Sequence, residues 1–331
     1  MMSVPYTLLM VDCRALRVAK TAAHVLAAFV SVAAWGAYPD KPVRLIVPSP
    51  PGGGNDIMAR LAGQKLTEAW GKQVLVDNRG GAGGAIAFEM AARAESNGYT
   101  LLLGSTNLTV LPDIQKVNYH PIKDFVPVSL MAKSMNILLV HPSVPVNSTR
   151  DLIALAKRNP GKLNYAASIA TSVHLAAELF KAKAGVNIVL VPYKGMGQAL
   201  VDLMAGQVDI AFSNPAASQE YVRLGRLRAL AVTGDKRSAM LPDVPTVAEV
   251  AIAGFEASTW WGILAPAGTP AAVVSEVNGK LAVALTQRDM MERIATLGAD
   301  LVGGPPERLT AHLNAEIPKW REVVRAANIR L

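Results

Sequence analysis

From Val43 onward, short apolar runs alternate with segments of helical spacing, and this alternation confines the chain to helices packed on mainly parallel sheets. Val43-Arg-Leu-Ile-Val47 reads as a first strand and runs into Pro48-Ser-Pro-Pro-Gly-Gly-Gly54. A helix follows from about Asn55, with Ile57 and Leu61, and Met58, Ala62 and Leu66, recurring on one side. Strand 73–76 leads into Asn78-Arg-Gly-Gly-Ala-Gly-Gly84 and a helix to about Ala94, and strand 99–103 leads into Gly104-Ser-Thr-Asn107. Three successive strands therefore end in loops rich in Gly, Ser or Asn, and in open α/β sheets ligands collect at such ends.

After Pro127 the pattern changes. The apolar stretch 128–140 is interrupted by Lys133-Ser-Met-Asn136 and reads as a crossing into a second domain. A second α/β series is expected there: helix 149–158, strand 163–167, helix 172–184, strand 187–191, helix 196–205, strand 208–212, helix 215–224 and strand 227–232. Thr259-Trp-Trp-Gly-Ile-Leu-Ala265 reads as a strand crossing back, followed by helices near 270–286, 288–297 and 306–326 that pack on the first domain. The expected division is 38–133 plus 257–331 for domain 1 and 134–256 for domain 2, with two crossings acting as a hinge.

The beginning of the chain is of a different kind. Arg14, Arg17 and Lys20 precede the apolar run Thr21–Ala34, and small residues gather around Ala34-Trp-Gly-Ala37. Positive charge, a short apolar run and small residues, in that order, define a secretory signal peptide, here residues 1–37 with cleavage near Gly36 or Ala37. The run is shorter than the roughly 20 apolar residues of a membrane span. Cys13, the only cysteine, lies inside this leader, so the exported chain is expected to be held by its core rather than by disulfides. The formal net charge is +8, but Lys and Arg are scattered, with no run longer than a pair and no interleaved aromatics. A nucleic-acid partner is not expected.

Enzyme motifs are missing where they would be recognisable. Pro51-Gly-Gly-Gly-Asn-Asp56 lacks the lysine and hydroxyl of a phosphate-binding loop, Gly81-Ala-Gly-Gly-Ala-Ile86 is no dinucleotide fingerprint, and there is no Gly-x-Ser-x-Gly elbow. His174 and Glu178, like His312 and Glu316, stand one helical turn apart, but no third ligand accompanies either pair. Ordinary surface or capping roles are expected for them, with no metal and no cofactor. The glycine loops carry more. Glycine lets the backbone approach a ligand closely, and a helix starting from such a loop aims orphan N–H groups and a partial positive charge at an anion. Gly52–Asn55 and Gly81–Gly84 both have this form. In the second domain Ser168-Ile-Ala-Thr171 offers hydroxyls before a helix, His174 falls in its first turn, and Tyr193-Lys-Gly195 and Phe212-Ser-Asn214 close two further strands.

From Tyr38 on, the sequence resembles the Bug family, the extracytoplasmic receptors of tripartite tricarboxylate transporters. The resembling stretches are Tyr38-Pro-Asp-Lys-Pro-Val-Arg44, Pro50-Pro-Gly-Gly-Gly-Asn-Asp56, Asn78-Arg-Gly-Gly-Ala-Gly-Gly84, Gly98-Tyr-Thr-Leu-Leu-Leu-Gly104, Asn159-Pro-Gly-Lys-Leu-Asn-Tyr165, Val191-Pro-Tyr-Lys-Gly195, Leu230-Ala-Val-Thr233, Leu241-Pro-Asp-Val-Pro-Thr246 and Ala265-Pro-Ala-Gly-Thr-Pro270. The resemblance implies a two-domain α/β Venus-flytrap fold of the type II periplasmic binding class, and a monomeric, non-enzymatic receptor in the periplasm. Its implied partners are a small carboxylate and a two-subunit membrane permease. The alternative role on the same fold is a ligand-sensing subunit for a membrane signalling kinase. Carried over by position, ligand contacts fall at Gly54, Asn55, Ala82, Gly83 and Ser105 in domain 1, and at Ser168, Thr171, His174, Lys194 and Asn214 in domain 2. The sequence departs from the family pattern after the third strand, where Ser105–Pro112 replaces a longer Gly-rich segment, and at Ala167–Thr171, which lacks the family's glycines.

Overall fold

A computed structural model of the chain describes residues 38–193 and 195–330. The leader assigned to residues 1–37, and Lys194 among the candidate contacts, lie outside the described residues. From Lys41 on, the chain builds two sheets.

In chain order the elements begin with β1 (Val43–Val47), α1 (Gly54–Trp70), β2 (Val74–Asn78), a short 3₁₀ turn (Ala82–Gly84), α2 (Ala85–Ala92), β3 (Thr100–Ser105), α3 (Thr106–Ile114) and β4 (Phe125–Met135). The second sheet starts at β5 (Ile137–Val140), followed by α4 (Thr149–Arg158), β6 (Asn164–Ala167), α5 (Ser172–Ala184), β7 (Val189–Pro192), α6 (Met196–Met204), β8 (Ile210–Ser213), α7 (Pro215–Arg223) and β9 (Arg228–Val232). After α8 (Val247–Val250) come β10 (Ser258–Pro266), α9 (Ala271–Ala284), α10 (Arg288–Thr296), β11 (Asp300–Leu301) and α11 (Pro306–Ala326). The first sheet has the order β11-β4-β10-β3-β1-β2, and the second β7-β6-β8-β5-β9.

The strands form where aliphatic runs can be buried on both faces; Val43, Leu45, Ile46 and Val47 of β1 are all inaccessible to solvent. The first core gathers Phe88, Tyr119 and Phe125, whose rings meet edge to face at 5.4 and 6.2 Å. In the second, Phe180 packs on Phe212 and Phe255. The last helix does more than pack on the first sheet. Leu309 and Leu313 sit in the first core with Trp260, whereas Trp320, Val323 and Val324 share the second core with Phe180, along with Val110 and Ile114 of α3.

Strand pairing fixes where the loops point. β4 ends at Met135 and β5 begins at Ile137, so the chain leaves the first sheet at Asn136; it returns at Ser258. β10 runs antiparallel to β3, with Trp261 opposite Ser105, so β3 ends beside the crossing, as do β1 and β2, which run parallel to it. In the second sheet both Ser213 of β8 and Val232 of β9 pair with Ile137, and β6 and β7 run parallel to β8. The carboxyl ends of eight strands, β1 to β4 from the first sheet and β6 to β9 from the second, thus lie at the crossing. The two crossing segments are clipped together by the buried Thr233. Its hydroxyl accepts the Asn136 N–H at 2.8 Å and donates to the Ala257 carbonyl at 2.7 Å.

One expected loop is a helix. Residues after Ser105 coil at once into α3 despite Pro112, because Leu108, Leu111 and Ile114 all find buried places. Propensity yields here to packing.

Candidate functional site

Several helices that start at the facing strand ends begin without a side-chain cap. Gly53 before α1, Ser105 before α3, Thr171 before α5 and Gly195 before α6 make no side-chain hydrogen bond to the first turn. By contrast, Ser148 caps α4, whose start lies at the far end of β5. Uncapped first turns leave N–H donors orphaned, and with the helix dipole they form anion-holding ends.

In the first lobe the candidates Gly54, Asn55 and Ser105 come together around Trp261. The indole Nε1–H donates to Asn55 Oδ1 at 2.8 Å, and a Cβ placed on Gly54 would stand 3.5 Å from the same ring. Ser105 is the strand partner of Trp261. Next to it, Thr106 Oγ1 is buried without a hydrogen-bond partner, and Ser49 Oγ beyond β1 is likewise unpaired. Buried hydroxyls without partners are rare, and here they lie where three strands end. The Gly52 N–H is not available to a ligand, because it donates to Asp56 Oδ2 at 2.9 Å, which Arg60 also holds at 3.0 Å. Burial pushes the Asp56 carboxyl up, but Arg60, the Gly52 amide and Asn78 outweigh it and hold it below the ordinary value. Asp56 therefore shapes the loop from behind.

Ala82 and Gly83 are arranged by α3. Gln115 donates to the Ala82 carbonyl at 2.9 Å and Asn107 to the Gly83 carbonyl at 2.9 Å. Since a trans peptide opposes its C=O and N–H, the Gly83 N–H points away from Gln115. Both residues have positive φ, 48° at Ala82 and 67° at Gly83. A Cβ on Gly84 would come within 2.9 Å of Pro48, so this turn needs glycine for space as well as for conformation.

The second-lobe candidates are more engaged with their own lobe. Thr171 donates its hydroxyl to the Ser168 carbonyl at 2.6 Å, closing the loop on itself. Ala170 has φ 59°, and its N–H is received by His174 Nδ1 at 3.2 Å. His174 is 4% exposed and lies nearly parallel to Tyr165, with Nε2 3.9 Å from Glu178. Burial lowers its pKa, and Lys181 adds to this against Glu178, so the ring is neutral. Asn214 caps α7 through Oδ1 to the Ala216 N–H and donates through Nδ2 to Ser134 Oγ at 2.6 Å, a contact from the second lobe to β4. Ile169 is 43% exposed and lies on a groove of about 620 Å³ between α5 and the end of α11.

The two His–Glu pairs are not surface features, contrary to expectation. Glu178 accepts from Tyr165 and Lys181, and Glu316 from Trp320 at 2.6 Å and from Lys319; both carboxylates are buried inside polar clusters that satisfy them. Among the described residues no group of three His, Cys, Asp or Glu could hold a metal ion, and no helix is long and apolar enough to cross a membrane. Trp261, Thr106, Asn107 and Gln115 were not singled out in the sequence, because their parts depend on neighbours distant along the chain.

This is the two-domain Venus-flytrap fold, with one α/β sheet in each lobe. Residues 58–329 match the family described as "Tripartite tricarboxylate transporter family receptor", and the chain belongs to that family. Three solved structures show the likeness. R. palustris Rpa4515 with adipate is 36% identical with a TM-score of 0.74, over 89% of this chain and 100% of that one. The periplasmic binding protein BugD is 33% identical with a TM-score of 0.71, over 89% and 100%. MatC (Rpa3494) from Rhodopseudomonas palustris with bound malate is 29% identical with a TM-score of 0.70, over 87% and 100%.

Proposed function

We propose that this chain is the periplasmic receptor of a tripartite tricarboxylate-type transporter and that it holds a small carboxylate between its lobes. The observation that carries the reading is the convergence of uncapped helix starts and unpaired hydroxyls on the facing strand ends. Such a site offers mainly neutral donors, orphan N–H groups and hydroxyls, which suits a carboxylate. Relatives with adipate and with malate support this class of ligand. The lobes are taken as 38–133 with 257–331, and 134–256, turning about the Asn136 and Ala257 crossings. Ligand bridging both lobes stabilises the closed form, which a two-subunit permease then recognises. The ligand contacts are assigned to Gly54, Asn55, Ala82, Gly83 and Ser105 facing Ser168 and Lys194. Thr171, His174 and Asn214 support their loops from within. No bond is made or broken in the ligand.

A thermal-shift screen of the exported chain against C4 to C6 di- and tricarboxylates tests the reading. An acid at 100 times its Kd adds about 2.7 kcal/mol of stability, and each kcal/mol raises the Tm of a chain this size by about 2–4 °C or slightly less. No response from any acid of several classes would overturn it.

A further inference from the structure

We propose that Trp261 sets the polarity of the first-lobe site, so that it accepts a carboxylate and rejects the matching carboxamide or amine. The inference rests on the carboxylate reading above and adds a positioning residue to it. Trp261 is 6% exposed and stands between the end of β3 and the first turn of α1. An indole nitrogen can only donate, so it can meet only the carbonyl end of the Asn55 amide, and the 2.8 Å bond fixes that end. The amide's other end, Nδ2, donates to no protein group among the described residues and is not sealed in the interior. It therefore faces outward beside the orphan N–H groups of the first turn.

The consequence is a choice between two amide orientations. With Nδ2 outward, every group at this corner is a donor, and a carboxylate oxygen satisfies them. With the amide reversed, Oδ1 would face the ligand, repel a carboxylate and welcome a carboxamide NH₂ or an ammonium. The indole N–H opposes the reversal, because it would then face a second donor. The ring also lies under Gly54, so the same side chain supports the turn it polarises.

The test compares wild type with Trp261→Phe, Asn55→Ala and Asn55→Asp. Titration calorimetry uses whichever of succinate, malate, glutarate and adipate binds wild type most tightly, together with its monoamide. Trp261→Phe keeps most of the ring but lets the amide turn. Acid affinity is expected to fall about 5–10-fold, the loss of one hydrogen bond, and the acid-over-monoamide ratio to narrow by a similar factor. In the Asn55→Ala background, Trp261→Phe should no longer change that ratio. A ratio unchanged in Trp261→Phe would overturn the inference, since a purely structural floor would weaken both ligands alike. If Trp261→Phe does not fold, Asn55→Asp decides: it presents only acceptors and is expected to lose acid binding more than about 10-fold at a near wild-type melting temperature, so retained affinity overturns the idea. Should no acid bind wild type, the receptor reading fails, yet the ligand-free protein still judges the indole contact. The indole N–H resonance missing from Trp261→Phe must move in Asn55→Ala, and an unmoved resonance overturns the proposal.

Discussion

Replacing Thr233 by valine keeps the shape of the side chain and removes only its hydroxyl. That hydroxyl accepts from the Asn136 N–H at 2.8 Å and donates to the Ala257 carbonyl at 2.7 Å, joining the two segments on which the lobes would turn. Thr233 is wholly buried, and both backbone groups would be left facing a methyl group. A lost buried hydrogen bond costs about 1 kcal/mol, and a group left unsatisfied costs about 1–3 kcal/mol. With two groups stranded, Thr233→Val is expected to destabilise the ligand-free protein by about 2–5 kcal/mol. Thr233→Ser keeps the hydroxyl and should cost about 1 kcal/mol, chiefly the buried methyl. Equilibrium unfolding in urea, followed by circular dichroism, reads both values, and the slope of the transition shows whether one cooperative unit remains. A Thr233→Val loss below about 0.5 kcal/mol, or one equal to that of Thr233→Ser, would refute the reasoning, because the hydroxyl would then hold nothing together.

Three further outcomes are expected. His312 lies edge-on to Trp260 with Nε2 buried and unpaired, and burial, with Lys133 and Lys319 adding against Glu256, lowers its imidazole to about 3. The unfolded chain therefore binds this proton first as pH falls below about 6.5, so stability is full above that value and falls towards the folded value, by about 2 kcal/mol at pH 5. Melting curves between pH 7.5 and 5 should show this slope in wild type and lose much of it in His312→Phe. Gly262→Ala would bring a Cβ within 2.9 Å of the Ser129 carbonyl oxygen and 3.0 Å of Leu309, beside the register shift between β10 and β4. A loss of about 1–3 kcal/mol in urea is expected, and an unaffected midpoint would contradict that packing. Thr171→Ala removes the hydroxyl that closes the 168–171 loop and should cost about 1 kcal/mol of stability, with Thr171→Ser restoring it.

Much of the fold is legible in the sequence, for a local reason. The period of apolar residues and the Gly, Pro and Asn punctuation are written along the chain, so strand 43–47 and helix 306–326 appear with their expected bounds. The helix at 106–114 was hidden by Pro112 and by the absence of a polar stripe; only the neighbouring core rewards it. Within the site, the strand-end loops could be read because glycine and hydroxyl runs announce themselves. What could not be read was which donors remain open. Asp56 takes the Gly52 amide through a contact four residues away, while Asn107 of α3 and Gln115 just past its end reach the 82–83 turn across the fold. His174 looked like a first-turn donor, but Tyr165 and Glu178 draw it inward, and Asn214 is committed at both ends of its amide. Thr233 stood in a recognisable run, yet its part emerges only where two chain crossings meet.

The most direct trial is a structure of the exported chain with the acid that most raises its melting temperature. Carboxylate oxygens are expected about 2.7–3.2 Å from the N–H groups at the starts of α1 and α3, and from Asn55 Nδ2, with the second-lobe loop closing over them. An acid held by arginine or lysine side chains in the groove between α5 and α11, with the facing strand ends empty, would contradict it.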